Sequence, residues 1–414
     1  MEIKLGLKEN WQQFSLLVLV NMMVGGMVGL ERTVVPIVGD QVFKISSDVV
    51  IFSFIIAFGL VKGFANLLSG ALADKYTRKQ ILIAGWVVGL PIPFLLAWGP
   101  SWNWILFANI LLGVNQGLAW SMTVNMKIDL VGPRNRGFAM GINEAAGYGA
   151  VGLTALATGY IASEYGLRPQ PFYLGIVYAI IGLLLSVFIV KDTRRHALLE
   201  ASQMQTTASG EEVHKPNLWW VFKETSFKSK NLFSISQAGL INNLNDGMAW
   251  GVFPLLFMSM GVGLEGVGWI KAIYPLVWGI GQIATGPMAD RWGRKPLIVW
   301  GMITQAFGHL IIGLNFLSPM LSGMAGSVFL GLGTAMVYPA LLAAVSDAAH
   351  PNWRASSLGV YRFWRDMGYV AGALMSGIVA NFFGLLRAVD IAGVLTLISG
   401  IVVWVKMKET MKWD

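Results

Sequence analysis

Cysteine is absent from all 414 residues, and with it any disulfide framework or thiolate metal site. Charge is scarce: 13% of positions are charged against 55% hydrophobic, too little polar surface to cover a soluble globule of this length. The four histidines are scattered, and the chain has neither a phosphate-binding Walker loop nor a hydrolytic motif. No resident cofactor or metal is expected, and the chain does not read as an enzyme. What is abundant is apolar sequence, in runs of about 20 residues that each suffice to cross a hydrocarbon core of about 30 Å as a helix. Twelve such runs follow one another. None alternates like a barrel strand, so the expected fold is an all-α polytopic membrane protein.

A net charge of +8 would suggest nucleic acid as a partner in a soluble protein, but here the distribution of the 30 Lys and Arg decides. Most fall on the side that holds both termini, in the tails and in the loops around Lys75 to Lys79, Arg134 to Arg136 and Arg291 to Lys295. The positive-inside rule makes that side cytoplasmic, and an even number of spans agrees with both ends lying there. The opening MEIKLGLKENWQQ leads into an apolar run without a small-residue cleavage site, so the first span is read as a retained helix. The expected location is the cell membrane, with the lipid bilayer as partner and no nucleic acid.

One long polar stretch divides the spans six and six. The expected units are an N-terminal half over 1–192, a cytoplasmic linker over 193–230 and a C-terminal half over 231–414. Ser, Thr, Gln and Glu suggest a mobile linker as far as about His214. NLWWVFKETSFKSK then places Trp219, Trp220, Phe222 and Phe227 near lysines, as in a short helix lying at the membrane interface.

The halves repeat. GALADKYTRKQI superposes on GPMADRWGRKPL at a shift of 216, matching Gly70 with Gly286, Asp74 with Asp290, Arg78 with Arg294 and Lys79 with Lys295. At a shift of 218, Asp129, Pro133, Arg136 and Gly141 match Asp347, Pro351, Arg354 and Gly359. Two blocks at nearly one offset indicate an internal duplication.

With these blocks the whole chain resembles the major facilitator superfamily of secondary transporters, whose signature is a Gly-x-x-x-Asp-x-x-Gly-Arg-Lys/Arg loop between helices 2 and 3, often echoed between helices 8 and 9. The first copy here has Thr77 in place of the second glycine; the other keeps Gly293. The resemblance implies twelve transmembrane helices in two pseudo-symmetric halves that rock around a central cavity, bounded by helices 1, 4, 5, 7, 10 and 11. It also implies a latch on the cytoplasmic side in the outward-facing state, carried over to Asp74, Arg78 and Asp129 and to Asp290, Arg294 and Asp347. Many proton-driven exporters of the family carry an arginine in helix 4; Gly113 stands there in this chain. Their helix 5 signature has Gly-Pro, whereas GYGAVG at 147–152 lacks the proline and is read as close helix packing.

Ionisable residues inside a membrane cost about 2.5 to 3.5 kcal/mol on insertion scales, so each calls for a partner or a role. The deep candidates are Lys62, Glu144, Asp246, Arg362, Arg365 and Asp366, with Glu31 and Arg32 placed nearer the outer end of the first helix and Lys271 shallow enough to reach headgroups. Lys62 lies twelve residues before Asp74 and Asp366 twelve after Arg354, about 18 Å along each helix, so a pairing of Lys62 with Asp366 is expected. Glu144 and Arg362 are equivalent at the 218 shift with opposite charge, giving the cavity one acidic and one basic wall. This suits a zwitterionic or amphiphilic solute. Asn242, Asn243 and Asp246 share a helical face, and a desolvated carboxyl holds its proton more tightly, which makes Asp246 or Glu144 a coupling candidate. Oxygen ligation of Na⁺ at Asp246 is the alternative. Trp120 and Tyr361 add aromatic surface. The expected function is secondary active transport of a small organic solute by a monomer, as proton-coupled export. Alternatives are coupled uptake of a metabolite or organic anion, favoured if Arg362 and Arg365 open to the cavity, and, more remotely, a sensor that transports nothing.

Overall fold

The computed structural model describes residues 4–131, 136–205, 217–314, 317–349 and 353–411. Among these, no strand occurs, and twelve long helices succeed one another. The N-terminal half contains α1 (Leu7–Val42), α2 (Asp48–Lys75), α3 (Arg78–Trp98), α4 (Trp102–Val131), α5 (Arg136–Tyr165) and α6 (Gln170–Ile189). The C-terminal half contains α7 (Lys230–Ser259), α8 (Leu264–Trp292), α9 (Arg294–Ile312), α10 (Pro319–Ala348), α11 (Arg354–Phe383) and α12 (Leu385–Lys406).

Eight of the twelve are apolar enough to cross a membrane on hydropathy alone. The other four, α5, α7, α8 and α11, run for 29 or 30 residues and carry Glu144, Asp246, Lys271 and Asp366. Polarity lowers their hydropathy without exposing charge to lipid, because those four side chains are buried within the protein.

The two halves use the same neighbours. α1 packs on α5 as α7 packs on α11, α2 on α4 as α8 on α10, and α3 on α6 as α9 on α12. Between halves, α2 lies along α11 and α5 along α8. Glycine permits the closest approach: a Cβ at Gly25 of α1 would collide with the Gly147 carbonyl oxygen of α5. This places GYGAVG in helix packing.

The duplicated turn is made in two ways. Gly293 adopts φ 96°, a conformation that disfavours a side chain, between α8 and α9. Thr77 has φ −74° and instead caps α3: its hydroxyl accepts from Gln80 N at 3.2 Å while Gln80 Oε1 accepts from Thr77 N at 3.0 Å. The chain therefore reverses without glycine in the first copy.

The linker departs from expectation at its start. RRHALLEASQMQ forms a helix, Arg194–Gln205, because it is made almost wholly of good helix formers. Residues 206–216, the remainder of the stretch expected to be mobile, lie outside the described residues. The short helix Leu218–Lys223 follows, with Trp219 and Phe227 more than 60% exposed.

The halves are not equally close at both faces. On α5 and α8, a Cβ at Gly159 would sit 2.9 Å from Gly268 Cα and one at Gly152 2.8 Å from Ala272 O. Nearer the face bearing the termini, a Cβ at Gly141 or Gly286 would meet none of the described residues within 4 Å. Along α2 and α11 the equivalent distance is 2.8 Å at Gly377 against Val49 but 4.0 Å at Gly359 against Leu67. The closest approaches between the halves therefore lie away from the termini-bearing face.

Candidate substrate and coupling site

Two buried ion pairs cross between the halves. Arg32 of α1 pairs with Asp246 of α7 through both carboxylate oxygens, the second from Nη2 to Oδ2 at 3.1 Å, and Tyr369 of α11 donates to the same Oδ2 at 2.7 Å. Lys62 of α2 lies 3.6 Å from Asp366 of α11, whose other oxygen accepts from Asn66 at 2.5 Å; Asn66 in turn accepts from Ser121 of α4 at 2.9 Å. The pairs are linked by rings: Trp250 and Phe58 both pack edge-on against Tyr369, and the Arg32 guanidinium sits 4.2 Å from the Trp250 ring centre.

This corrects the expected depth of Glu31 and Arg32. The first helix continues to Val42, ten residues beyond Arg32, so both are enclosed instead of lying near its end. Lys271 is also misplaced by sequence reasoning. It is 3% exposed and donates to Ala249 O at 2.6 Å, since α8 turns it onto α7 and away from the headgroups.

Glu31 is fully buried, and neither carboxylate oxygen has a hydrogen-bond partner among the described residues, although Asn109 of α4 flanks it. Glu144 of α5 is partly compensated. One oxygen accepts from Trp120 at 3.2 Å and from Asn143 at 2.9 Å, while the other has no partner. Glu144 and the wholly buried Lys127, which donates to Leu17 O, lie within electrostatic reach of each other.

Arg365 of α11 stands at the centre. It donates to Tyr338 of α10 at 2.9 Å, to Tyr148 of α5 at 2.8 Å and to Asn243 of α7 at 3.3 Å, and among the described residues no carboxylate forms an ion pair with it. Arg362, one turn toward the termini-bearing face, is half-buried and has neither a hydrogen bond nor an ion pair with any described residue. Arg362 does not pair with Asp366, one turn on, because Asp366 is taken by Lys62, as expected, and by Asn66. Around Arg365 runs an aromatic wall: Trp120 on Tyr148 at 5.3 Å, Tyr148 on Trp278 at 3.5 Å, and Trp278 against Tyr338 at 5.9 Å. Trp120 ends a wider π-type turn, Gln116–Trp120, inside α4.

Two expected members lie elsewhere in their roles. Asn242 accepts from Gln305 of the peripheral α9 at 2.9 Å, whereas Asn243 and Asp246 reach the centre. Because α7 is surrounded by protein, polar residues serve more than one side of it. Tyr361 is fully buried against Gly239, its hydroxyl unpartnered.

At the termini-bearing face the charged loops are tied within each half. Arg78 Nε lies 3.3 Å from Asp129 Oδ2, and Arg294 meets Asp290 at 2.5 Å and Asp347 at 3.2 Å. The side chain of Asp74 lies outside the described residues. Each of these contacts lies within one half.

A third repeat, overlooked in the sequence, joins them. Asp192 Oδ1 accepts from Lys79 N at 3.1 Å, capping α3, while Thr193 donates to Asp129 at 2.7 Å. Glu409 accepts from Arg294 N and Lys295 N, both at 3.0 Å, capping α9, while Thr410 donates to Asp347 at 3.4 Å. Lys191-Asp192-Thr193 and Lys408-Glu409-Thr410 repeat at a shift of 217, a signal that could have been read directly.

The family model of the Major Facilitator Superfamily matches residues 14–233 and 235–413. The chain belongs to this superfamily. Curated relatives include the multidrug resistance protein MdtG of Citrobacter koseri, 23% identical over 357 residues that cover 84% of this chain and 83% of the relative. MdtG of Serratia proteamaculans is 23% identical over 375 residues, covering 89% and 85%. The inner membrane transport protein YnfM of Escherichia coli is 26% identical over 163 residues, 38% of each chain. As a superfamily member, the chain is a multi-pass membrane transporter and not an enzyme.

Proposed function

We propose that this transporter exports small amphiphilic organic compounds in exchange for protons by alternating access. The observation that carries the reading is the unequal compensation of charge at the centre. Among the described residues, Arg365 is hydrogen-bonded by hydroxyls and an amide, while the Glu31 carboxylate and one oxygen of Glu144 are buried without a hydrogen-bond partner. A cation without a contacting carboxylate offers itself to an anionic or polar solute group, and the aromatic wall accepts an apolar body. The uncompensated carboxyls are the groups best placed to bind and release a proton as the halves move.

The two cross-half ion pairs support alternating access, because a rocking motion that opens the outer side must separate Arg32 from Asp246 and Lys62 from Asp366. Closest approaches between the halves that lie away from the termini-bearing face, as at Gly159 against Gly268, suit a cytoplasm-open state with the lysine-rich face and both termini inside. The names of the MdtG relatives favour export. Occupation of Asp246 by Arg32 and Tyr369 favours a proton over Na⁺, which would need those oxygens free. A monomer suffices in this scheme, since one chain supplies both walls. A second reading, uptake of an organic anion by symport, is favoured by the unpaired Arg362.

The test is purified protein in liposomes, with an amphiphile panel under imposed proton and sodium gradients. Flux against a substrate gradient driven by inward proton movement supports the proposal. Flux driven only by Na⁺, or inward accumulation, overturns it.

A further inference from the structure

Away from the centre, α9 and α12 leave a groove of about 550 Å³ between them on the perimeter of the molecule. Its chemistry is graded along the helix axes. Lys295, at the first turn of α9, and Trp404, near the end of α12, stand at its mouth on the termini-bearing face. Val299 and Ile401 lie about one turn further in, and Ile303 and Leu397 about two, so the apolar floor runs about 12 Å into the membrane. Trp404 is 65% exposed and Ile401 48%, and neither α9 nor α12 takes part in the packing between halves, so the groove faces lipid.

The mouth carries an available charge. The Lys295 ammonium has no partner among the described residues, while its backbone N–H is taken by Glu409. Its repeat counterpart Lys79 is spent internally, donating to Val187 O of α6 at 2.8 Å. At the corresponding place in the second half, 217 residues on, stands Trp404, an aromatic of the kind that settles at headgroup level.

We infer that the α9–α12 groove binds an anionic phospholipid, its phosphate on Lys295 beside Trp404 and one acyl chain on Val299, Ile303, Leu397 and Ile401. A cation above a dozen ångströms of hydrocarbon matches the charge and polarity order of a lipid. A second protein chain would leave that ammonium facing an apolar surface or require its own buried acid.

The experiment is native mass spectrometry of the full chain in detergent, titrated with phosphatidylglycerol or phosphatidylcholine of the same acyl composition. The expected result is preferential retention of phosphatidylglycerol, reduced about fivefold by Lys295→Gln, the scale of one lysine facing an anionic lipid. Ile401→Trp, which fills the groove, is expected to lower retention of both lipids. Leu397→Trp fills it from the deeper end and serves if Ile401→Trp does not fold, judged by thermal unfolding. Equal retention of the two lipids, or retention unaffected by Lys295→Gln and by both groove-filling variants, overturns the inference. So does a dimer in the unsubstituted protein that Ile401→Trp converts to monomer, since the groove would then be an interface between copies.

Discussion

Arg32 and Asp246 come from opposite halves of the chain and form one buried ion pair, completed by the Tyr369 hydroxyl. Removing one partner of a buried pair leaves the other charge uncompensated, a loss of about 3 to 5 kcal/mol. Arg32→Ala and Asp246→Ala are therefore each expected to lower the melting temperature and abolish transport. The double variant should be more stable than the sum of the singles. Thermal unfolding of the four proteins as a double-mutant cycle measures the coupling; additive losses would show that the pair does not hold the halves together.

Lys62 and Asp366 form the second crossing, 3.6 Å apart. The exchanged variant Lys62→Asp with Asp366→Lys is expected to recover part of the transport lost in each single variant. Flux in proteoliposomes reads this directly, and no recovery under any gradient would remove the pair from the transport cycle.

Glu31 and Glu144 are expected to separate coupling from binding. Glu31→Gln should keep substrate exchange across the membrane, yet lose pH-driven accumulation by about tenfold or more, the scale of 1.4 kcal/mol or above per coupling step. Glu144→Gln should also weaken binding, since Trp120 and Asn143 lose their charged acceptor. Counterflow compared with pH-driven uptake into inverted vesicles distinguishes the two. Unchanged pH-driven flux in both variants would locate coupling elsewhere.

Arg365→Lys keeps the charge and discards the fork that reaches Tyr148, Tyr338 and Asn243 together. Substrate affinity is expected to fall at least about tenfold, because a point charge cannot hold three directions at once. Titration of tryptophan fluorescence with a transported amphiphile measures this, with Trp120 and Trp278 in the wall as reporters.

The caps repeated at the two helix ends give the last expectation. Asp192→Ala and Glu409→Ala each remove a carboxylate from the start of a helix, α3 or α9, and each should cost about 1 kcal/mol. Equal losses in separate unfolding measurements would support equivalent roles in the two halves; no loss in either would show the bonds to be incidental.

The duplication, the twelve spans and the family resemblance were legible because they are local and periodic. GALADKYTRKQI and GPMADRWGRKPL declare the repeat by themselves, and long apolar runs declare helices. The capping triplets were equally legible and went unread, since Asp192 and Glu409 look like ordinary polar residues after a membrane span. Burial was harder to read. Arg32 and Lys271 look shallow in the sequence, whereas helix continuation and neighbouring helices enclose them.

By itself the sequence determined the succession of helices and that two related halves exist, because apolar runs and repetition are properties of the chain taken in order, with hydropathy alone carrying eight of the twelve spans. Beyond one pair, only the tertiary structure decided which charges meet. Arg32 with Asp246, and Arg365 among Tyr148, Tyr338 and Asn243, join helices from far along the chain, whereas the pairing of Lys62 with Asp366 is already readable from equal depth along two helices. In low dielectric the fate of each charge depends on those neighbours and not on its own segment. Among the described residues, the same packing left the Glu31 carboxylate without a hydrogen-bond partner, and no pattern in the sequence marks that.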